Sequence, residues 1–189
     1  MSQELRFPNG VFVTGHRPTA FGDWDEKNEM AQDVKKWLYL AIERAIEKGR
    51  TDFITGMATG VDIWFGEAVL ALKEKNPYIR LICACPYMSQ PERWARFNKM
   101  RWRRLMERAD EFHIIYDDPE EKAPTYEFAK RLNGRNSWMV DSCPVGIAVH
   151  HKDVKSGGTV NCLKLAKSKE RPMLVYEPVE GTERWENRT

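Results

Sequence analysis

The sequence predicts an α/β protein with an open, doubly wound and mostly parallel sheet of about six strands and helices on both faces. Six short apolar runs alternate with five helical patterns along the chain, and most of these runs end at Gly, Pro or Asp. Continuous apolar runs of this kind are typical of strands buried on both faces of a parallel sheet. Strands that alternate with helices imply right-handed crossovers, which place helices on both faces.

Each predicted strand is short and ends at a residue suited to a turn. The strands are residues 11–14, 52–55, 79–85, 112–116, 145–149 and 173–176. The first two end at Gly15 and Gly56, and the third ends at Pro86. Glycine and proline stop a strand by permitting a turn or by removing a backbone donor.

The helices follow the apolar periodicity between these runs. They are predicted over residues 34–46, 61–72, 91–109, 126–140 and 160–167. Apolar residues recur every three or four positions in the first helix, and Gly49 follows it as a stop signal. Pro91 suits the first position of the third helix. The apolar stripe of the third helix is expected in the core and consists of Trp94, Phe97, Trp102, Leu105 and Ala109.

Length and charge place the chain among single-domain globular proteins. Its 189 residues suit one core, which we expect over residues 1–178, with residues 179–189 as a loosely attached polar tail. The chain has 30 Lys and Arg against 28 Asp and Glu, a formal net charge of +2, together with 7 Trp, 8 Phe and 6 Tyr. This composition excludes a disordered chain and a uniformly basic nucleic-acid binder, but it leaves room for a local basic patch.

Targeting and metal signals are both lacking in the sequence. No stretch approaches the roughly 18 apolar residues that span a bilayer. The first six residues lack the basic start and apolar run of a signal peptide. We therefore expect a cytoplasmic protein without a membrane partner. The four cysteines fit neither a common zinc spacing nor a disulfide framework, so we expect reduced, buried thiols and no metal site. They are Cys83, Cys85, Cys143 and Cys162.

The turn after the first strand contains Gly15, His16, Arg17 and Pro18. In open α/β sheets, ligands bind at the carboxyl ends of the strands, near the point where the strand order reverses. Gly15 permits a sharp turn, and His16 and Arg17 offer hydrogen-bonding or cationic groups to an anion. An ordinary turn with a surface arginine is the alternative interpretation.

The loop after the second strand, residues 56–62, contains two glycines and leads directly into a helix. Gly56 and Gly60 let backbone N–H groups approach a ligand, and a helix N-terminus favours a phosphate. The spacing is neither that of a Walker loop nor that of Gly-x-Gly-x-x-Gly. Asp62 is either a ligand-binding carboxylate or a stabilising acid in the first helical turn.

A second glycine-containing turn, residues 155–161, also opens a helix. A flexible connecting loop is the alternative, but two such turns in one strand–helix array favour a nucleotide-like ligand. Segments after the third strand and before the fifth are expected at the same edge, where they offer amide and guanidinium groups. The residues concerned in these three segments are Gly157, Gly158, Thr159, Pro86, Gln90, Arg135 and Asn136.

The helix predicted over residues 91–109 carries seven basic and two acidic residues, a net charge of +5. A solvated helix face is the first interpretation, because charged residues of a surface helix lie opposite its apolar stripe. A patch for nucleic acid or an acidic partner is the second interpretation.

Taken in order, these motifs resemble those of the YpsA/YoqJ branch of the SLOG superfamily, which also includes the LOG and DprA/Smf proteins. The resemblance covers roughly residues 9–178. It implies a Rossmann-like domain that binds a nucleotide or a nucleotide-derived, ADP-ribose-like ligand at the strand ends. The segments that carry it are 13–18, 56–62, Pro86 with Gln90 and Trp94, Arg135 and Asn136 with 139–141, and 157–159.

Members of this superfamily use the site in different ways. LOG proteins hydrolyse nucleoside monophosphates to base and ribose 5-phosphate, DprA-type members bind single-stranded DNA, and other SLOG domains are described as sensors of NAD-derived signals. The LOG motif ends in a catalytic glutamate, and residues 156–162 of this chain carry no acid at the matching place. His16, Asp62 and Glu67 are then the acid–base candidates for cleaving an N-glycosidic bond.

The leading prediction is a ligand-binding protein that needs no cofactor beyond its nucleotide-like ligand. A LOG-like N-glycosidase and a DprA-like nucleic-acid module using the basic helix are the alternatives, and the Trp content leaves a homodimer open. Glycines and Thr159 would cradle phosphate, Arg17 would neutralise its charge, and Asp62 would accept hydrogen bonds from ribose. The expected ligand-binding residues are Gly15, His16, Arg17, Gly56, Met57, Ala58, Gly60, Asp62, Pro86, Gln90, Arg135, Asn136, Gly157, Gly158 and Thr159.

Overall fold

The computed structural model describes residues 4–187, which form a seven-stranded sheet and five α-helices. The strands are β1 (Gly10–Gly15), β2 (Asp52–Thr55), β3 (Arg80–Cys85), β4 (Glu111–Ile114), β5 (Val145–Val149), β6 (Met173–Glu177) and β7 (Thr182–Glu186). The helices are α1 (Glu29–Glu47), α2 (Val61–Lys73), α3 (Arg96–Arg108), α4 (Thr125–Ser142) and α5 (Gly158–Ser168). A short 3-10 turn covers Pro18–Phe21.

The strand order in the sheet is β4-β3-β2-β1-β5-β6-β7. Strands β1 to β6 pair in parallel, and β7 runs antiparallel beside β6. The chain builds outward from β1 as far as β4 and then crosses to β5 on the other side of β1. The predicted doubly wound and mostly parallel class is therefore confirmed, and the order reverses between β1 and β5.

Helices pack on both faces of the sheet, because consecutive strand residues point to opposite faces. On one face, Val11, Val13 and Phe53 join side chains of α1, α2 and α3 in the larger core cluster. On the other face, Phe12 and Ile54 join side chains of α4 and α5 in a second cluster. Burial on both faces accounts for the unbroken apolar runs from which these strands were predicted.

The C-terminal segment up to residue 187 differs from the expected loosely attached tail, and the last two residues of the tail predicted over 179–189 lie outside the described residues. Thr182–Glu186 forms β7 at the edge of the sheet, so the sheet has seven strands instead of six. Glu183 anchors this strand by accepting hydrogen bonds from Trp37 Nε1 at 2.6 Å and from the Arg44 guanidinium at 2.7 Å. An exposed edge strand needs no apolar run, which is why the polar sequence concealed it.

The basic helix starts later than its sequence suggests. α3 begins at Arg96, and the prediction that Pro91 occupies the first helical position is wrong. Pro91 lies in a preceding turn, where its carbonyl accepts a hydrogen bond from Trp94 N at 2.9 Å. The extended backbone of Ala95 separates this turn from the helix. The segment between β3 and α3 is therefore a structured loop at the carboxyl edge of the sheet.

The predicted apolar stripe of this helix is correct only in part. Trp102 and Leu105 are buried, but Phe97 is 65% exposed. The Arg101 guanidinium points inward and bridges Glu26 and Glu67 at distances from 2.6 to 2.9 Å. The Phe97 ring lies on the outside of this guanidinium, 5.1 Å from ring centroid to Arg101 Cζ. The inward position that the apolar periodicity assigned to Phe97 is therefore taken by Arg101 and its two carboxylate partners.

The four cysteines are free thiols, and all of them are buried, as predicted. Burial raises the pKa of the Cys85 thiol to about 12 and that of the Cys162 thiol to about 11. Both are therefore protonated and unreactive at neutral pH. Within residues 4–187, no helix has the length and apolar character needed to cross a bilayer.

Candidate functional site

A cleft lies between the end of β1 and the start of α5, where the strand order reverses; we call it the switch-point cleft. Its volume is about 260 Å³. Open α/β sheets bind their ligands at this position, because the two neighbouring loops diverge to opposite faces there. The lining residues are Thr14, Gly15, His16, Arg17, Ala58, Asp62, Leu132, Arg135, Asn136, Gly158 and Thr159.

His16 contributes a buried imidazole to the wall of this cleft. Its side chain is 8% exposed, and its Nε2 atom has no hydrogen-bond partner within residues 4–187. The centroid of its ring lies 5.5 Å from that of His150. A buried polar atom without a partner costs about 1–3 kcal/mol. A hydrogen bond between this nitrogen and a bound ligand would recover that free energy.

The environment of His16 keeps its imidazole neutral. Burial, together with the neighbouring His150 and His151, lowers the pKa of His16 from 6.5 to about 4. At pH 7 the ring therefore has one donor nitrogen and one acceptor nitrogen and carries no charge. A neutral His16 can offer hydrogen bonds in the cleft but no fixed positive charge, and the fixed positive charges among the lining residues belong to Arg17 and Arg135.

Arg17 supplies such a charge at the rim of the cleft. The residue is exposed and lines the cleft beside His16. Its charge reaches Asp62 and Tyr87, where it lowers the pKa of each group and so opposes the effect of burial. An exposed guanidinium beside a concave surface is well placed to meet a phosphate group entering from solvent.

The loop from residue 56 to residue 62 is filled by groups of the protein itself. Val61 N donates to the His16 carbonyl at 3.2 Å, and Ala58 N donates to Asp62 Oδ2 at 3.2 Å. Gly60 has a φ of 88°, and a Cβ atom there would lie 2.5 Å from the His16 carbonyl oxygen. This glycine therefore permits the two loops to pack closely, and it does not leave an open cradle.

A buried ion pair forms the floor of the cleft. Arg135 Nη1 lies 3.3 Å from Asp62 Oδ2, and both side chains are almost completely buried. Burial raises the pKa of the Asp62 carboxyl, and the charge of Arg135 opposes that shift. Gly56 makes room for the pair, because a Cβ atom at this position would overlap the Arg135 guanidinium. The pair joins the loop after β2 to the middle of α4.

The same network continues from α4 to α5. Arg135 Nε donates to Asn136 Oδ1 at 3.0 Å, and Asn136 Nδ2 donates to the Gly158 carbonyl at 3.3 Å. Arg135 and Asn136 were predicted from sequence to be ligand-binding residues. In the structure they hold three separate segments in a fixed arrangement around the cleft.

The first turn of α5 is open towards the cleft. Gly157 precedes the helix, no side chain within residues 4–187 caps it, and its first turn holds no acidic residue. Gly158 is exposed, and it lines the cleft together with Thr159. The first N–H groups of a helix have no partner inside the helix and lie at the positive end of its dipole. This end of the cleft therefore favours an anion.

Nine of the fifteen predicted ligand-binding residues line the switch-point cleft. They are Gly15, His16, Arg17, Ala58, Asp62, Arg135, Asn136, Gly158 and Thr159. Gly157 is the residue immediately before α5. The remaining five do not line the cleft, and they are Gly56, Met57, Gly60, Pro86 and Gln90. Gly56 and Gly60 pack closely against Arg135 and the His16 carbonyl, and Gln90 Oε1 accepts a contact from Cys85 Sγ at 3.8 Å.

Glu67 is held away from the other acid–base candidates. Its carboxylate is paired with Arg101 Nη2 at 2.6 Å, and it does not line the cleft. His16 and Asp62 do lie there together. The helical spacing between Asp62 and Glu67, more than one turn, places the two carboxylates on different sides of α2.

Sequence reasoning missed two residues of the cleft and the histidines beside it. Thr14 was counted as part of an apolar strand, although its polar side chain lies one residue before the turn. Leu132 precedes Asn136 by four positions on α4, so a helical wheel through Asn136 identifies it. His150 and His151 directly follow β5, and the rule that selected the other strand ends selects these residues as well.

Fold and cleft together define the class of protein: an open, doubly wound, Rossmann-like α/β protein with an anion-favouring cleft where its strand order reverses. The family model described as the YspA SLOG family (YpsA) matches residues 11–178. The chain belongs to this SLOG family. Membership indicates a nucleotide-related function, and it confirms the resemblance of the sequence motifs to the YpsA/YoqJ branch.

The sequences of related proteins agree with this family assignment. The SPbeta prophage-derived protein YoqJ of Bacillus subtilis is 35% identical over 147 residues, which covers 75% of this chain and 84% of that protein. A UPF0398 protein of Brevibacillus brevis is 26% identical over 159 residues, covering 84% and 81% of the two chains. Another, from Shouchella clausii, is 26% identical over 184 residues, covering 97% and 94%.

Proposed function

We propose that the protein binds a nucleotide or a nucleotide-derived, ADP-ribose-like ligand in the switch-point cleft. One observation carries the proposal: an uncapped helix start, an exposed arginine and a buried imidazole nitrogen meet in one cleft of the described chain. The first two features favour a phosphate, and the third favours an uncharged polar group of the same ligand. Family membership supports the choice of a nucleotide.

The phosphate of this ligand binds at the start of α5. Backbone N–H groups at Gly158 and Thr159 face the anion, and Arg17 neutralises part of its charge from the rim. The 56–62 loop is less suitable, because two of its N–H groups, those of Val61 and Ala58, already donate to the His16 carbonyl and to Asp62. Of the two glycine-containing turns, one therefore binds phosphate and the other shapes the cleft.

The ribose of the ligand meets the polar floor of the cleft. Asp62 lines this floor and accepts hydrogen bonds from ribose hydroxyls, and His16 Nε2 takes part in a further one. Arg135 and Asn136 keep Asp62 and the start of α5 in position through the hydrogen bonds that they already form. Ligand binding then gives His16 Nε2 a hydrogen-bond partner without breaking an existing hydrogen bond.

Calorimetry with AMP, ADP, ADP-ribose and NAD tests the proposal, using two variants at one position. Gly158→Asp places a carboxylate where the phosphate binds, and an acid in the first turn leaves the helix stable. Gly158→Ala is the matched control, because a Cβ atom at this position meets nothing within 4 Å. We expect binding by the wild type and the alanine variant and a loss of at least about tenfold in the aspartate variant. Failure of every nucleotide to bind at millimolar concentration would falsify the proposal.

Cleavage of an N-glycosidic bond receives less support from the arrangement of acids. Glu67 is paired with Arg101 outside the cleft, and the Asp62 carboxylate is already engaged by Arg135 and Ala58 N. Reactions of this kind benefit from a free carboxylate beside the sugar. Incubation of nucleoside monophosphates with the protein, followed by chromatography of free base, decides this alternative; sustained base release would establish it.

Nucleic-acid binding by α3 is a second candidate, favoured by one specific observation. Phe97 and Met100 are 65% and 60% exposed, and they lie among the exposed basic residues Arg96, Arg103 and Arg104. An exposed ring among arginines offers a base both a stacking surface and phosphate contacts. Fluorescence anisotropy with labelled single strands should show affinity falling steeply with salt, and Phe97→Ala should weaken binding; a flat salt response removes this candidate.

A further inference from the structure

Strand β7 is an edge of the sheet that no other strand of residues 4–187 pairs with on its outer side. It ends the strand order, and its one neighbour in the sheet is β6. Residues 182–185 are all exposed. The outer side of an edge strand presents a row of backbone N–H and C=O groups that a further strand can pair with. This edge is therefore a potential site of association with another chain.

The strand is held in place before any partner arrives. Glu183 accepts hydrogen bonds from Trp37 and from both terminal nitrogens of Arg44, which fix it to α1. Five residue pairs connect β7 to β6, from Met173 with Glu186 to Glu177 with Thr182. Because β7 is already ordered, pairing with a partner strand costs little free energy for ordering β7.

We propose that β7 is the interface between two copies of this chain, with the two strands antiparallel about a two-fold axis through Trp185. In such an isologous contact, the residue at the axis lies opposite its own copy, and every other contact between the two strands occurs twice. With Trp185 at the axis, Arg184 lies opposite Glu186 of the second copy, and Glu186 lies opposite Arg184 of the second copy. Two ion pairs and one pair of indoles then face each other across the axis.

The charges of the strand select this register over its neighbours. An axis at Glu183, Arg184 or Glu186 puts that charged side chain directly opposite its own copy, which is destabilising in an antiparallel pair. An axis at Thr182 leaves the other strand residues opposite the turn that precedes β7. Only the register at Trp185 sets opposite charges opposite each other within the strand. The charged side chains of β7 therefore disfavour pairing with strands in other registers and allow pairing in the register at Trp185.

A groove beside the strand adds apolar surface to the same interface. It has a volume of about 300 Å³ and lies on the α1 side of the sheet, and Trp185 lines it together with Leu174, Ile147, Ala41 and Ala45. Two alanines of α1 and residues of β5 and β6 form its walls, together with the charged side chains of Arg44, Lys48, Arg50 and Glu183. In the pair of chains, the two grooves meet at the axis and the two indoles lie over them. Apolar surface at the centre with charges around it is the usual anatomy of a stable interface.

Light scattering after size exclusion tests association, and two single charge reversals test the register. The wild type is expected at twice 22.1 kDa. Arg184→Glu and Glu186→Arg each place like charges opposite each other, so each alone should raise the dissociation constant of the dimer by at least about tenfold. Mixed together, they should form a heterodimer, because the two acidic side chains of one variant then face the two basic side chains of the other.

The mixing experiment separates pairing between chains from pairing within one chain. Arg184 and Glu186 also form an ion pair inside the strand, at 2.7 Å, which both single variants lose. The double variant Arg184→Glu/Glu186→Arg keeps that internal pair and should dimerise like the wild type. A monomeric wild type at about 100 μM, single variants that stay dimeric, or a mixture that stays monomeric each overturns the proposal.

Cysteine cross-linking measures the register directly. The four natural cysteines are buried, so an introduced surface cysteine reacts without competition. Trp185→Cys lies at the axis and should form a disulfide-linked dimer under mild oxidation. Thr182→Cys is the control, because in this register its two copies are about 20 Å apart. Cross-linking of the control instead of the axial variant would contradict the proposed register.

Discussion

At the scale of single residues, burial decides which chemistry a cleft residue can perform. The sequence allows His16 to act either as a cation or as a hydrogen-bonding group. Its buried position, with His150 and His151 nearby, lowers its pKa to about 4 and selects the neutral form. Arg17, one residue further along the chain, is exposed. The two adjacent residues, both expected from sequence to bind an anion, thus lie in different environments, one buried and one exposed.

The lowered pKa of His16 predicts how stability depends on pH. Because the unfolded chain binds a proton at this residue near pH 6.5 and the folded chain only near pH 4, the stability that neutral His16 contributes is lost as pH falls through that interval. His16→Gln removes this loss. When the pH falls from 7 to 5, the free energy of unfolding of the wild type should therefore decrease by about 1–2 kcal/mol more than that of the variant. Urea unfolding at both pH values measures it, and parallel pH curves would contradict it.

At the scale of secondary-structure elements, a charge network fastens the segment before α1 to α2 and α3. Glu26 accepts hydrogen bonds from Trp64 Nε1 at 2.7 Å and from Arg101, and it pairs with Lys35 at 3.0 Å. Its side chain and that of Arg101 are 6% and 10% exposed. Arg101 also reaches Glu67, so one guanidinium connects three parts of the chain. Removing it leaves a buried carboxylate with fewer partners.

Replacing Arg101 should therefore be costly, and replacing an exposed neighbour should not. We expect Arg101→Met to lower the free energy of unfolding by about 2–4 kcal/mol, because it separates a buried ion pair. Glu26→Gln introduced together with Arg101→Met should recover part of this loss. Arg104→Met, on the exposed side of the same helix, should change stability by no more than about 0.5 kcal/mol. Denaturant unfolding compares them; equal losses at the two arginines would argue against the network.

The elements differ in how far their sequences reveal them. Strands β1 to β6 were predictable because burial on both faces requires apolar residues at every position. β7 escaped prediction because its stability comes from pairing with β6 and from the contacts of Glu183 with Trp37 and Arg44. The inward face of α3 was misassigned around Phe97 for a similar reason, since Arg101 finds its carboxylates in distant segments. Local patterns do not record such long-range partners.

At the scale of the whole molecule, strand order brings separate loops into one cleft. Parallel strands all end at the same edge, so the sequence could identify the loops that reach this edge. It could not identify which loop stays open, because that depends on contacts between distant residues. Asp62 and Arg135 are 73 positions apart, and their pairing fills the floor below the 56–62 loop. The start of α5 remains open because no comparable partner within residues 4–187 caps it.

Ligand binding in this cleft should stabilise the entire fold, because a ligand that binds only the native state shifts the unfolding equilibrium by mass action. At a concentration of 100 times Kd, the gain is about 2.7 kcal/mol. For a chain of this length, that gain corresponds to an increase in Tm of about 5–10 °C. Arg17→Met should reduce the increase, because it removes the exposed charge at the cleft. Arg103→Met, an equal loss of charge on α3, should preserve it. Thermal unfolding at one fixed protein concentration compares the three proteins, and an increase reduced by Arg103→Met instead would place the ligand on the basic helix.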